Sequence, residues 1–198
     1  MTDETTNCTA CGNPMLVRTA EKYNGKCIPC TKGYRKSLDK SRLFYEEQKL
    51  HENDPDVLFW RALCERVDNP ALGFNSLPGP EKLFFAVCLL EGEIFNGGFE
   101  QYSTNSSADY FDYALSGLEK MGDQLGLELT LKAKRLLFHD KAVPKHIERL
   151  DYFAATRILD EQEVSDILDE LDSAFLKNYE KVLSSRLTAF AIENGFWK

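Results

Sequence analysis

A run of eight consecutive apolar residues, 83–90, is the feature that most limits how this chain can fold. A run of that length inside a longer helical pattern predicts a central helix, buried on all sides, around which other elements pack. It leads into the stretch EGEIFNGGFEQYSTNSS, residues 91–107. The Gly97-Gly98 pair predicts the end of this helix, because glycine accepts the left-handed backbone conformation at a helix C-terminus.

The stretch after the glycine pair predicts a sharp corner followed by a new helix. Asn105, Ser106 and Ser107 carry side-chain oxygens that can accept hydrogen bonds from the free N–H groups of a helix start. The polar groups of this corner then lie beside the core, so its residue types are more tightly constrained than those elsewhere in the chain. The corner residues are Glu91, Glu93, Asn96, Gly97, Gly98, Phe99, Gln101, Tyr102, Asn105, Ser106 and Ser107.

These corner residues resemble the signature of a bacterial all-helical family that takes its name from a DNA-mimic protein. The resemblance extends from about residue 54 to the C-terminus, is densest at residues 91–107, and leaves out residues 1–50. It implies a compact α-helical domain, no known catalysis, and a role in binding other proteins.

The corner is also the candidate site for catalysis. Glu91, Glu93 and Glu100 could supply acid–base carboxylates. The sequence offers no nucleophile–base pair beside them, no phosphate-binding loop, and no GxSxG or HExxH motif. We therefore predict no catalytic residue and no enzyme activity, and expect the polar groups to satisfy buried backbone groups around a tight turn. An enzyme that uses the carboxylates of residues 91–105 is the alternative.

Two CxxC pairs form the strongest chemical motif of the chain: Cys8 with Cys11, and Cys27 with Cys30. Fifteen residues separate the pairs, which is a spacing typical of a tetrahedral four-cysteine zinc site. Because all four ligands are cysteines, the predicted Zn²⁺, one per chain, is structural rather than catalytic. The alternative is two disulfides or free thiols in an unstructured tail.

The residues around the cysteines predict a zinc ribbon over residues 1–35. Residues 15–19 are expected to form a strand, and Asn24-Gly25 a hairpin turn. A connecting helix over residues 36–53 and an all-α domain over residues 54–198 follow. The predicted fold class is mainly α: a compact domain of seven or eight helices, with a small N-terminal zinc ribbon that contains a short β-hairpin.

The net charge of −8 is divided unevenly along the chain. Residues 1–50 hold nine Lys/Arg and six Asp/Glu, a net of +3, whereas residues 51–198 hold fifteen and twenty-six, a net of −11. An acidic domain repels phosphates, which argues against direct nucleic-acid binding. The chain has no signal-peptide pattern and no bilayer-length apolar run, and its cysteines suit a metal. We therefore predict a cytoplasmic location without membrane association.

Acidic residues concentrate between residues 160 and 172, where seven carboxylates occur without an intervening Lys or Arg. In the helix predicted there, apolar residues form one stripe and the acids recur three and four residues apart on the other side. Like charges at that spacing repel each other, and a cationic partner would relieve the repulsion. The alternatives are a solvated face, or neutralisation by the basic segment 132–149. The candidate partner-binding residues are Glu163, Asp166, Asp169, Glu170 and Asp172.

Together these features predict a non-enzymatic, zinc-containing protein-interaction module whose acidic helical domain binds a basic protein partner. In the sharpest form of this hypothesis, which the family resemblance implies, the domain mimics DNA and binds a DNA-binding protein. A second form is an immunity-type protein that inhibits a toxin. A nucleic-acid binder that acts through the basic ribbon is a further alternative, and the oligomeric state stays open.

Overall fold

The computed structural model describes residues 4–139 and 141–197, and the chain divides into two compact units, Met1–Val57 and Leu58–Lys198. Hairpin strands β1 (Thr5–Asn7) and β2 (Pro14–Leu16) begin the first unit and pair antiparallel, with Thr6 opposite Met15. Helices α1 (Val17–Lys22), α2 (Ile28–Thr31) and α3 (Arg35–His51) follow. The predicted small β-hairpin beside the cysteines is therefore confirmed.

The details of the ribbon differ from the prediction in two places. The expected strand over residues 15–19 is wrong beyond Leu16, where the chain turns into α1. Asn24 and Gly25 do form a tight turn with positive φ values of 49° and 77°, but the turn follows a helix instead of joining two strands. Its Gly25 carbonyl accepts a 2.9 Å hydrogen bond from the Thr9 N–H, which brings the two CxxC segments together.

Seven further α-helices follow in the part of the chain that the structure describes: α4 (Pro55–Asp68), α5 (Gly79–Thr104), α6 (Phe111–Met121), α7 (Gln124–Phe138), α8 (His146–Thr156), α9 (Gln162–Asn178) and α10 (Ser184–Glu193). The mainly α prediction is confirmed. The chain passes from α9 into α10 without leaving helical form, because a π-helical turn, Tyr179–Leu183, joins the two helices.

Helix α5 is the centre of the second unit, as the apolar run predicts. Every residue from 83 to 90 is buried or half-buried, and Val87 and Leu90 are fully buried. Helix α6 approaches α5 closely at Gly117, where a Cβ atom would lie 2.5 Å from a methyl carbon of Val87. The small side chain at that position therefore allows the two helices to pack tightly.

The aromatic pair Phe196 and Trp197 near the C-terminus packs back on the core. The Phe196 ring stacks on Phe59 with a centroid distance of 4.6 Å and meets the edge of Phe84 at 5.5 Å. Within the described ranges, no helix combines the length and apolar character needed to cross a membrane.

Candidate functional site

The four CxxC cysteines converge in the first unit. Their sulfur atoms all lie within 4.8 Å of one another, and those of Cys11 and Cys27 are 3.7 Å apart. A tetrahedral zinc site with Zn–S bonds of about 2.3 Å has sulfur–sulfur edges of about 3.8 Å. All four residues are free thiols, with Cys8 and Cys27 buried. The donor set and its spacing therefore fit a structural zinc ion.

Hydrogen bonds and burial make the four thiols chemically different. The backbone N–H of Cys27 donates to the Cys8 sulfur at 3.2 Å and lowers the pKa of Cys8 to about 6. The Arg35 guanidinium donates to the Cys27 sulfur at 3.1 Å and lowers the pKa of Cys27. Burial, helped by the neighbouring sulfurs, raises the pKa of Cys30 to about 12. Four thiolates at this distance need a cation among them, which a divalent metal would supply.

The glycine pair forms a break inside α5 instead of ending it. Gly97 has φ −169° and ψ 26°, and Gly98 has φ 76° and ψ −173°, after which the helix resumes. The Gly98 conformation belongs to a region that only glycine occupies readily. The predicted corner is therefore present, but α5 continues beyond it to Thr104.

The carboxylate of Asp172 holds this break in place. The Phe99 N–H, freed by the break, donates to Asp172 Oδ1 at 2.8 Å. A Cβ on Gly98 would lie 2.7 Å from the Asp172 carboxyl carbon, so the close approach requires glycine. Burial raises the pKa of Asp172 more than this hydrogen bond lowers it, and the nearby Asp169 and Glu100 raise it further. Although we predicted Asp172 as a partner-binding residue, its carboxylate is bound into the corner.

Glu93 is the acceptor for three other corner side chains. It accepts hydrogen bonds from Gln101 Nε2 at 2.7 Å, from Asn105 Nδ2 at 2.8 Å, and from the Ser107 hydroxyl. Burial raises the pKa of Glu93, but these three hydrogen bonds outweigh it, so the pKa lies below its ordinary value. One carboxylate thus joins the middle of α5 to the segment that follows it.

The predicted capping role of Asn105 and Ser107 is wrong, because both side chains donate to this carboxylate. Asn105 makes no side-chain hydrogen bond to the helix start that follows it. The chain continues as a 3₁₀ turn, Ser106–Tyr110, and α6 begins only after that turn.

The remaining motif residues have separate environments. Phe99 and Tyr102 are buried in the core, whereas Asn96 and Ser106 are exposed. Glu91 is half-buried, and burial raises its pKa, partly offset by the Tyr179 hydroxyl. The structure therefore brings Glu93, Gln101, Asn105 and Ser107 together, and it leaves Glu91 outside that group.

Arg149 is an important residue that the sequence analysis treated only as part of a basic segment. Its side chain is fully buried and donates to the carbonyl oxygens of Ser103 and Asn105, each at 2.6 Å. It also pairs with Asp109 Oδ1 at 2.9 Å. Arg149 precedes the buried Phe153 by one helical turn. This spacing in the sequence could have indicated that Arg149 lies on the apolar side of α8.

The acidic residues of α9 lie opposite its buried stripe. We define the α9 acidic face as Glu163, Asp166, Asp169 and Glu170, all of which are exposed. The opposite side buries Val164, Leu168, Leu171 and Phe175. Among residues 4–139 and 141–197, no Lys or Arg nitrogen lies within 4.0 Å of these four carboxylates. Direct ion pairing with the basic segment 132–149 therefore does not account for these charges.

Comparison with known proteins places the corner and the α9 acidic face inside one family. A family model described as DMP19-like protein matches residues 75–194, which is more than half of the chain, and it leaves out the cysteine cluster. Searches of curated proteins and of solved structures each find no match. The match contains every corner residue from which the DNA-mimic resemblance was predicted, so the chain belongs to the DMP19-like protein family.

Proposed function

We propose that this protein is a protein-interaction module whose α9 acidic face binds a basic surface of a partner protein. The observation that carries the proposal is a set of four exposed carboxylates on one rigid helix, without an ion-pair partner in the part of the chain that the structure describes. Their mutual repulsion destabilises the free protein, and a cationic partner would remove that cost. Membership of the DNA-mimic family supports an interaction role.

The charge spacing of the face favours a partner that otherwise holds DNA. Residues 163 to 170 span about 10 Å of helix axis, at about 1.5 Å per residue. Four carboxylates over that length give about one negative charge per 3.5 Å, and one strand of duplex DNA carries one per about 3.4 Å. A DNA-binding surface would therefore meet a similar linear charge density on α9.

We assign the corner a scaffolding role in this function. Glu93 is occupied by three donors, and Asp172 by the Phe99 N–H. The hydrogen bond from the Phe99 N–H to Asp172 ties α9 directly to the break in α5, so the corner sets where the α9 acidic face lies. A catalytic role would instead need a carboxylate that is free to exchange protons with a substrate.

We also propose that Cys8, Cys11, Cys27 and Cys30 bind one structural Zn²⁺ ion. The sulfur spacing supports this assignment, and a closed set of four thiolates leaves no coordination position for a substrate. The bound ion would hold the hairpin and the first two short helices together, because this segment buries little apolar surface of its own.

The test compares two variants with equal changes in charge. In the first, three carboxylates of the α9 acidic face are neutralised: Glu163→Gln, Asp166→Asn and Glu170→Gln. In the control, three exposed carboxylates outside α9 are neutralised: Glu119→Gln, Glu128→Gln and Glu148→Gln. Partners captured from a native lysate by the wild-type chain are identified, purified and titrated with each variant.

We expect the α9 variant to lose binding while its helix content is unchanged, and the control variant to bind as the wild type does. Affinity should fall steeply with salt, and the partner's DNA should compete for the same surface. Binding that requires the α9 acidic face but is not competed by DNA would favour the alternative function, an immunity-type protein that inhibits a toxin. If the α9 variant binds a verified partner as well as wild type, the face is only solvated and the proposal is wrong.

A further inference from the structure

We propose that Arg35 is a positioning residue of the metal centre and that it makes the first turn of α3 depend on metal binding. This inference rests on the proposed zinc site. Arg35 is the first residue of α3. Among the described side chains of that helix, it alone hydrogen-bonds a cysteine sulfur.

The Arg35 guanidinium connects the cysteine cluster to α3 through two groups. Its Nη2 donates to the Cys27 sulfur at 3.1 Å, and its Nη1 lies 3.6 Å from Asp39 Oδ1, one helical turn further on. The Arg35 side chain is only 21 % exposed. Among the described residues of α3, only Arg35 and Asp39 are half-buried, and the Arg35 side chain is the less exposed of the two. The sulfur contact is therefore the main anchor of this helix within its unit.

The charge of a zinc–thiolate centre explains why a guanidinium belongs there. A divalent ion with four thiolates carries a net charge of −2, and burying uncompensated charge is costly. The Cys27 N–H already donates to the Cys8 sulfur, and Arg35 adds a full positive charge beside a second sulfur. Donors of this kind orient the ligands, and removing one lowers metal affinity by about 10–100-fold.

The same contact makes the start of α3 sensitive to the metal. No described side chain of α3 is buried, so little packing holds this helix and its end frays unless it is anchored. Without the metal, the thiolate that holds Arg35 is no longer fixed in place. We therefore expect the first turn of α3 to be ordered in the zinc-loaded protein and to open in the zinc-free protein.

The experiment uses the full chain with Arg35→Gln and a matched control, Arg42→Gln. Arg42 lies on the same helix and pairs with Glu46 at the same 3.6 Å and the same sequence spacing, but it is 63 % exposed and contacts no sulfur among the described residues. Zinc affinity is measured by competition with a chromogenic chelator. Amide hydrogen exchange of residues 36–40 is measured with and without zinc, and the zinc content of each protein is determined.

Arg35→Gln should weaken zinc binding by about 10–100-fold and abolish the zinc-dependent protection of residues 36–40, whereas Arg42→Gln should change neither. Equal zinc affinity and equal protection in Arg35→Gln and wild type would overturn the inference. Weaker zinc binding with unchanged protection would overturn only the part of the inference that concerns the first turn of α3. Failure of the wild-type chain itself to bind zinc would refute the proposed zinc site first. Retained amide protection of the hairpin strands in the zinc-loaded variant checks that its first unit folds.

Discussion

Replacement of Gly98 by alanine tests the corner most directly. Gly98 has φ 76° and ψ −173°, a region that costs a non-glycine residue about 1–3 kcal/mol. The added Cβ would also overlap the Asp172 carboxylate, which would have to move away from the Phe99 N–H. Leaving that buried N–H unpaired costs about 1–3 kcal/mol more. We therefore expect the free energy of unfolding to fall by about 2–6 kcal/mol.

The neighbouring glycine provides the control. Gly97 has φ −169°, outside the left-handed region that favours glycine, so alanine there lacks the backbone strain expected at Gly98. Its Cβ would instead press on Gln101, whose side chain can shift at the expense of one hydrogen bond to Glu93. We expect Gly97→Ala to cost about 1 kcal/mol.

Urea unfolding followed by far-UV circular dichroism gives the free energy of unfolding of both variants. The dependence of that free energy on urea concentration should equal the wild-type value if unfolding stays two-state. Adding Asp172→Ala to Gly98→Ala should cost less than the sum of the two single changes, because the overlap and the lost bond involve the same carboxylate. The reasoning is refuted if Gly98→Ala unfolds within about 0.5 kcal/mol of wild type, or if Gly97→Ala costs more than Gly98→Ala. Variants that unfold normally but lose a measurable enzyme activity would instead identify the corner as catalytic.

Three further predictions concern Glu93, Arg149 and the metal. Because the pKa of Glu93 is lowered by folding, its charge stabilises the protein above the ordinary carboxyl pKa of about 4.3, and this contribution is lost as pH falls through the lowered value. The stability deficit of Glu93→Gln in urea unfolding should therefore shrink from pH 7 towards pH 3, and a deficit that grows would contradict this. Arg149→Met should lower the free energy of unfolding by about 3–5 kcal/mol, because it leaves Asp109 and three carbonyl groups without their buried partner; a loss below about 1 kcal/mol would be inconsistent with those contacts. Chelation of zinc should unfold the hairpin and the first two helices in NMR spectra and leave the melting temperature of the helical domain unchanged, whereas a lowered melting temperature would show that the two units are coupled.

Features that depend on neighbours along the chain could be predicted well. The apolar run of residues 83–90 indicates the central helix, because burial on all sides needs apolar residues at every helical position. The CxxC spacing indicates a metal site, because two thiols three residues apart converge on one ion. The glycine pair indicates a break, because only glycine adopts the Gly98 conformation readily.

The partners of the polar groups could not be predicted, because they come from distant parts of the chain. Asn105 and Ser107 look like helix caps in the local pattern, yet they bind Glu93, which is 12 and 14 residues earlier. Helical spacing indicates that Arg149 lies on the apolar side of α8, but only the tertiary structure shows which groups accept its four hydrogen bonds.

The acidic residues of α9 show most clearly which features follow from the local sequence and which depend on tertiary packing. By composition and spacing, Asp169 and Asp172 are equivalent members of one acidic run, and the sequence correctly places that run on a helix. Whether a carboxylate on that helix meets solvent or another backbone depends on what packs beside it. The structure brings the Phe99 N–H, 73 residues away, to Asp172, and leaves Asp169 exposed. Helical periodicity is a local property of the chain, whereas this hydrogen bond exists only because α5 and α9 pack together.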